Sequence, residues 1–236
     1  MYNILMGNMF NLLDKLPYGY YDALITDPPY SSQIGGAKGL KKYSSSANVQ
    51  TVRMANDDMD QRSWINWTAE WLIKASRILK MGSPFVIFTD WRQLPALSDA
   101  IKYAGLRQRG LIPWDKRNSR PFEGGFRNQC EYCVWGSLGQ LKGNKNLYLP
   151  GFYSINIVPP PKRIHAMEKP LALMRELVKI TRTGGRVLDP FCGSGTTVAA
   201  ALLEGYDAVG IEIDEDMAAK AKDRIELILS SHAEAV

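Results

Sequence analysis

Short apolar runs alternate with helical periods along almost the whole chain, and this alternation restricts the fold more than any other feature. Trp64–Leu79, "WINWTAEWLIKASRIL", spaces its tryptophans and aliphatics as one helix face and is closed by Lys80-Met81-Gly82. "PFVIFT", Pro84–Thr89, then reads as a strand. Further strands are expected at Tyr2–Met6, Tyr21–Thr26, Gly110–Trp114, Glu131–Trp135, Val187–Asp189 and Ala208–Ile213. Helices are expected at Phe10–Lys15, Leu94–Ala104, Pro170–Arg182, Thr196–Glu204 and Asp216–Leu229. Strands interleaved with helices predict an α/β fold with a mostly parallel, doubly wound sheet. A chain of 236 residues suits a single domain, residues 1–236, with insertions.

Two segments break the rhythm. Ser31–Arg62 is polar and rich in Gly, Ser, Lys and Asn; Gly136–Arg163 is rich in Gly, Asn and Lys and ends in three prolines. Loops of this length are usually functional or disordered, and binding insertions at about 31–62 and 136–163 are the expectation. Charge supports it. Residues 186–236 hold four basic and ten acidic side chains, a balance of −6, while residues 1–185 balance at +11. A basic surface attracts phosphates, and an acidic section stays away from them.

Three cysteines build no disulfide framework and suit a reducing, cytoplasmic setting. Cys130 and Cys133 form a C-x-x-C, but with only two histidines in the chain they read as ordinary strand cysteines, and no metal is expected. No stretch of 18 apolar residues occurs, so no membrane span is expected.

Val187–Thr197, "VLDPFCGSGTT", carries a strand ending in Asp189, a Gly193-Ser194-Gly195 turn and a helix start. Small residues let a ligand approach the backbone at the ends of the strands. Glu212, ending the next strand roughly 20 residues on, suits ribose hydroxyls. The dinucleotide fingerprint requires a third small residue where Val198 stands. Asp189 would repel a pyrophosphate but attract an ammonium. A ligand with ribose, an α-amino group and no phosphate fits better, and S-adenosylmethionine is one.

"ALITDPPYSSQ", Ala23–Gln33, runs a β-branched strand into Asp27-Pro28-Pro29-Tyr30. The prolines fix φ and remove two N–H donors, leaving a stiff loop that offers only acceptors. Asp27 and the Pro28 carbonyl suit the two protons of an NH2 on a planar base, and Tyr30 suits stacking. Drawing both protons toward acceptors localises the nitrogen lone pair, which can then attack a sulfonium methyl. In a duplex such an amine is buried, so the base must be flipped out.

With these residues in that order the sequence resembles the β-class, circularly permuted DNA amino-methyltransferases, which act on adenine N6 or cytosine N4. "MGNMFNLLDKLPYGYYDALITDPPY" matches the family's approach to its catalytic loop, and "HAMEKP", His165–Pro170, its element before the cofactor strand. The resemblance implies a Rossmann-like, seven-stranded, mostly parallel sheet whose one antiparallel strand is Glu131–Trp135. It implies that Asp27, Pro28 and Tyr30 hold the target base. Asp189, Phe191, Gly193 and Gly195 would line the methionine end of the cofactor, and Lys169 with Ser194 or Thr196 would meet its carboxylate. Glu212 would bind ribose, Ile213 would pack on adenine, and Asn8 stands where the family usually has Asp. Lys38, Lys41, Lys42, Arg53, Lys142, Lys145, Lys162 and Arg163 in the insertions, with Arg117 and Arg120, would contact double-stranded DNA. Family members often dimerise, but nothing in the sequence picks out an interface.

In the family, Asp at position 27 leans toward adenine and Ser toward cytosine. Cytosine N4 is the alternative base. An RNA or protein amide is a further enzyme reading, and a non-catalytic DNA-binding module that kept the fold is the alternative of another class.

Overall fold

The computed structural model describes residues 1–31, 59–159 and 168–233. In chain order its elements are β1 (Tyr2–Met6), α1 (Met9–Leu13), β2 (Ala23–Thr26), α2 (Gln61–Ile78), β3 (Pro84–Thr89), α3 (Leu94–Tyr103) and β4 (Arg107–Asp115). They continue with β5 (Cys130–Ser137), β6 (Tyr153–Ser154), α4 (Leu171–Val178), β7 (Arg186–Asp189), α5 (Thr196–Leu203), β8 (Asp207–Glu212) and α6 (Glu215–Ala233). The strands form one sheet in the order β1-β8-β7-β2-β3-β5-β4-β6.

Period-2 alternation on the central strands feeds two cores. Ala23, Ile25, Val86, Phe88 and Val187 face α4, α5 and α6; Leu24, Phe85, Ile87 and Leu188 face α1, α2 and α3. A strand buried on both faces has to read as a continuous apolar run, and all six residues of β3 are buried. On α2, Trp64, Trp71 and Leu72 are fully buried, and Asp60 caps its first turn by accepting from the N–H groups of Arg62 and Ser63.

Among the described residues the sheet has eight strands where seven were expected. The extra one, β6, is two residues long and pairs parallel with Trp114 and Asp115. It is held by Trp114 Nε1 donating to the Ile155 carbonyl at 2.8 Å and by Ser154 Oγ donating to Asp115 at 2.8 Å. The antiparallel strand is β5, as expected, and it opposes both of its neighbours, β3 and β4. This reversal fixes what lies at each end of the sheet. Tyr132 pairs with Thr89 and Cys130 with Asp115, so the β4–β5 loop stands at the end where β2 and β3 finish. Ser137 pairs with Pro84 at the opposite end.

β2 and β7 are hydrogen-bonded neighbours although most of the chain separates them. From β2 the chain crosses to β3 on one side; from β7 it crosses to β8 on the other. Strand order therefore reverses between them, and ligands of open α/β sheets bind in the crevice at such a point.

Candidate active site

Asp27 to Ser31 leave the C-terminal end of β2 at this crevice. Loop carbonyls with no N–H neighbours to pair with need outside donors, and two buried side chains supply them. Trp64 Nε1 donates to the Pro29 carbonyl at 2.8 Å, and Gln93 Nε2 to the Tyr30 carbonyl at 2.8 Å. Gln61 in turn donates to Gln93 Oε1 at 2.8 Å. The Pro28 carbonyl receives no hydrogen bond from the described residues. Pro28 and Ser31 are buried, and Pro29 and Tyr30 half-buried.

The Asp27 carboxylate takes one donor on each oxygen, the Tyr30 hydroxyl on Oδ1 and the Lys169 ammonium on Oδ2. Lys169 is only 7% exposed. Its Nζ also lies 3.4 Å from Glu131 Oε2, and Lys116 Nζ lies 3.2 Å from Glu131 Oε1. The rings of Phe88 and Tyr30 flank the ammonium, with centroids 5.1 and 5.7 Å away. An ion-pair chain thus runs Asp27–Lys169–Glu131–Lys116. Burial pushes the Asp27 carboxyl up, against the pull of Lys169. Burial would also raise Glu131, but Lys169 and Lys116 together hold it below the ordinary carboxylate value. Burial disfavours the Lys169 charge, yet the two carboxylates win and raise its pKa. The Tyr30 phenol is driven well up by burial and by Asp27.

Asp189 ends β7 beside this loop and is 2% exposed. Thr26 Oγ1 donates to Asp189 Oδ1 at 2.6 Å, and the Phe191 N–H reaches the same oxygen at 3.1 Å. This bond ties the glycine turn to the strand that carries Asp27. Burial lifts the Asp189 carboxyl to about 6 despite the hydroxyls of Thr197 and Thr26. Phe191 packs against Trp71 and Trp67, with ring centroids 5.2 and 5.5 Å apart. Gly193 and Gly195 have φ of 49° and 76°. A Cβ on Gly195 would also lie 2.9 Å from Ile225 Cδ1, so the turn admits no side chain where α6 crosses it.

Glu212 ends β8 with both oxygens directed by backbone donors, Gly193 N at 2.9 Å and Asp214 N at 3.0 Å. Each oxygen keeps a lone pair for a ribose hydroxyl. Ile213 beside it is half exposed, a flat apolar surface next to the acid. Asn8 lies across from Glu212 after β1, where its Oδ1 caps α1 by accepting from the Phe10 N–H at 2.9 Å.

The structure moves several expected residues. Lys169 stands against Asp27 and Glu131, and among the described residues no hydrogen bond links it to Ser194 or Thr196. Those two meet Arg224 of α6, whose Nη1 donates to Ser194 O, Ser194 Oγ and Thr196 Oγ1 at 2.9, 3.2 and 2.8 Å. Its Nη2 donates to Glu168 at 2.6 Å, an almost fully buried pair. Lys142 and Lys145 lie away from the catalytic end. The Lys142 N–H donates to the Gly82 carbonyl at 2.9 Å, and Asn144 binds Thr181 O and Thr183 N, all at the end where β3 and β7 begin. The reason is topological, since β5 runs downward and delivers its following segment to the far rim. Arg117 and Arg120 stand on the β4–β5 loop at the catalytic rim, both exposed. Lys38, Lys41, Lys42, Arg53, Lys162 and Arg163 fall outside the described residues.

Sequence reasoning missed Trp64, Gln93, Glu131 and Arg224. Only Glu131 left a signal, an acid at the start of an otherwise apolar strand pattern. Among the described residues no group of three or more His, Cys, Asp or Glu is placed to hold a metal.

The crevice therefore presents three carboxylates, a glycine turn and a stiff acceptor loop, chemistry suited to a cationic nucleoside ligand and an amine-bearing base. The family model described as DNA methylase, covering N6 and N4 methyltransferases, matches residues 21–146 and 140–223. The chain belongs to this DNA methylase family. YubD of Escherichia coli (strain K12), whose name calls it a methylase, is 27% identical over 228 residues, covering 95% of this chain and 90% of its own. The solved M1.HpyAVI-SAM complex shares the fold at a TM-score of 0.72 and 24% identity, over 95% of this chain and 99% of that one. The PvuII DNA methyltransferase, cytosine-N4-specific, does so at 0.74 and 16% identity, over 97% and 90%. The family's permuted motif order is the order seen here, with β2 and its acceptor loop preceding β7 and its glycine turn.

Proposed function

We propose that this DNA methylase transfers the methyl group of S-adenosylmethionine to the exocyclic N6 of an adenine flipped out of duplex DNA. The observation that carries the reading is the direct pairing of β2 with β7, which sets the acceptors of Asp27 and Pro28 beside the glycine turn. Asp189 and Glu212 complement an ammonium and a ribose, and the cofactor supplies an activated methyl on sulfur. The residues of this chain do the rest. Asp27 and the Pro28 carbonyl accept the two amine protons and turn the nitrogen lone pair toward the methyl carbon. Bound there, the sulfonium would supply its methyl carbon to that nitrogen, the electron pair of the C–S bond staying on sulfur. The surplus amine proton passes to Asp27, whose raised pKa suits it as acceptor. Tyr30 gives up its bond to Asp27 and offers its ring to the base.

Adenine is favoured by Asp27 at the first motif position. Cytosine N4 is the second reading, because the PvuII enzyme, cytosine-specific by name, has the same fold. Nucleoside mass spectrometry of unmethylated DNA incubated with the protein and S-adenosylmethionine decides between them. N6-methyladenine is expected, and N4-methylcytosine would reverse the base. Asp27→Ala is expected to abolish either product while leaving cofactor affinity within about twofold, since Asp27 acts on the base. Retained turnover in that variant would remove Asp27 from the mechanism.

A further inference from the structure

The β4–β5 loop, residues 116–129, rises from the rim that carries Asp27. Its neck is tied. The Lys116 N–H donates to the Gln129 carbonyl at 2.8 Å, the Arg117 N–H to Asp115 at 2.9 Å, and the Ile157 N–H to Asn118 at 2.9 Å. Its tip is bare, with Phe122 68% and Phe126 99% exposed. The Phe122 ring lies against the loop's own backbone, since a Cβ on Gly125 would sit 2.8 Å from it; Phe126 has no such support. Lys116, Arg117, Arg120 and Arg127 face a single acid, Glu123, within the loop. The foot of the loop is joined to the chemistry, because Lys116 is the last member of the ion-pair chain that begins at Asp27.

A large apolar ring held fully in water inside a basic loop has no role in folding. It suits a partner that is anionic outside and stackable inside. Extruding a base from a duplex leaves such a gap, and inserted apolar side chains fill gaps of this kind. We propose that the β4–β5 loop enters the duplex as the target base leaves it, with Phe126 taking the vacated place in the stack and Arg117, Arg120 and Arg127 meeting the flanking phosphates. The proposal rests on the base-methylating reading of the site.

The test compares kcat/KM on two oligonucleotide duplexes carrying the site found by sequencing methylated DNA. One is fully paired; in the other the target base faces an abasic position, so no pairing must be broken and extrusion costs less. Phe126→Ala is expected to lose about 10- to 100-fold on the paired duplex, the scale of one stacking contact, and less than about threefold on the abasic one. Phe126→Trp is expected to stay close to the parent on both. Equal losses on the two duplexes, or no loss on either, overturn the proposal and leave the base-methylating reading standing. If the unaltered protein methylates neither duplex nor any other DNA, both fall.

Discussion

On the proposed reading Asp27 accepts hydrogen bonds from an amine and has to stay ionised, and burial works against that. Lys169 is the counterweight, and its placement there leads to a sharp expectation. Lys169→Met removes the cation that favours ionised Asp27, so the Asp27 pKa climbs further and the acid limb of the kcat–pH profile moves to higher pH. Lys169→Arg restores part of the limb. Calorimetry is expected to show cofactor affinity little changed in both, because the ammonium does not touch the glycine turn. A large loss of cofactor affinity with an unmoved pH limb would return Lys169 to the cofactor carboxylate. Asp27, the prolines, Asp189 and Glu212 were legible in the sequence as residues at strand ends, because each is placed by its own stretch of backbone. The partner of Lys169 was hidden. Asp27 lies 142 residues away, and no local pattern records which carboxylate a lysine will meet.

Among the described residues, elements with a strong local period stand where the sequence put them: all six helices, and seven of the eight strands. Boundaries moved where capping or pairing decided them. Asp60 caps α2 so that it starts at Gln61, three residues before its first tryptophan, and β4 lengthens to nine residues because β5 gives it a partner. β6 was not readable, since two residues have no periodicity and its pairing comes wholly from Trp114 and Asp115. The far-rim position of Lys142 and Lys145 was equally hidden, being a consequence of strand direction. At the junction of α5 and α6, Gly195 combines a φ of 76° with a 2.9 Å approach to Ile225. Gly195→Ala is therefore expected to cost about 1–3 kcal/mol, read as a lowered urea midpoint. Cofactor affinity is expected to fall with it, since the turn must open to admit the methyl. An unchanged midpoint would show that the helices part freely.

For the molecule as a whole, the buried Asp189 sets a pH dependence of stability. Unfolded, it releases its proton near 4; folded, near 6. Between those values the folded state binds more protons, so stability falls as pH rises, and the full cost, on the order of 3 kcal/mol, stands above pH 6. Asp189→Asn is expected to melt higher than the parent at pH 7.5 and nearly with it at pH 4, while binding the cofactor less well. Melting curves by circular dichroism at the two pH values check it; equal differences at both would show that Asp189 is not destabilising when charged.

The adjacency of β2 and β7 has a consequence in time. A ribosome delivers Thr26 163 residues before Asp189, and at about 5–20 residues per second the wait is on the order of ten seconds or more. During it one edge of a strand whose four residues are all buried in the folded protein has no partner. A growing chain of this kind needs shelter on that edge before it can have any activity, and the methyl-donor half is the last part it acquires.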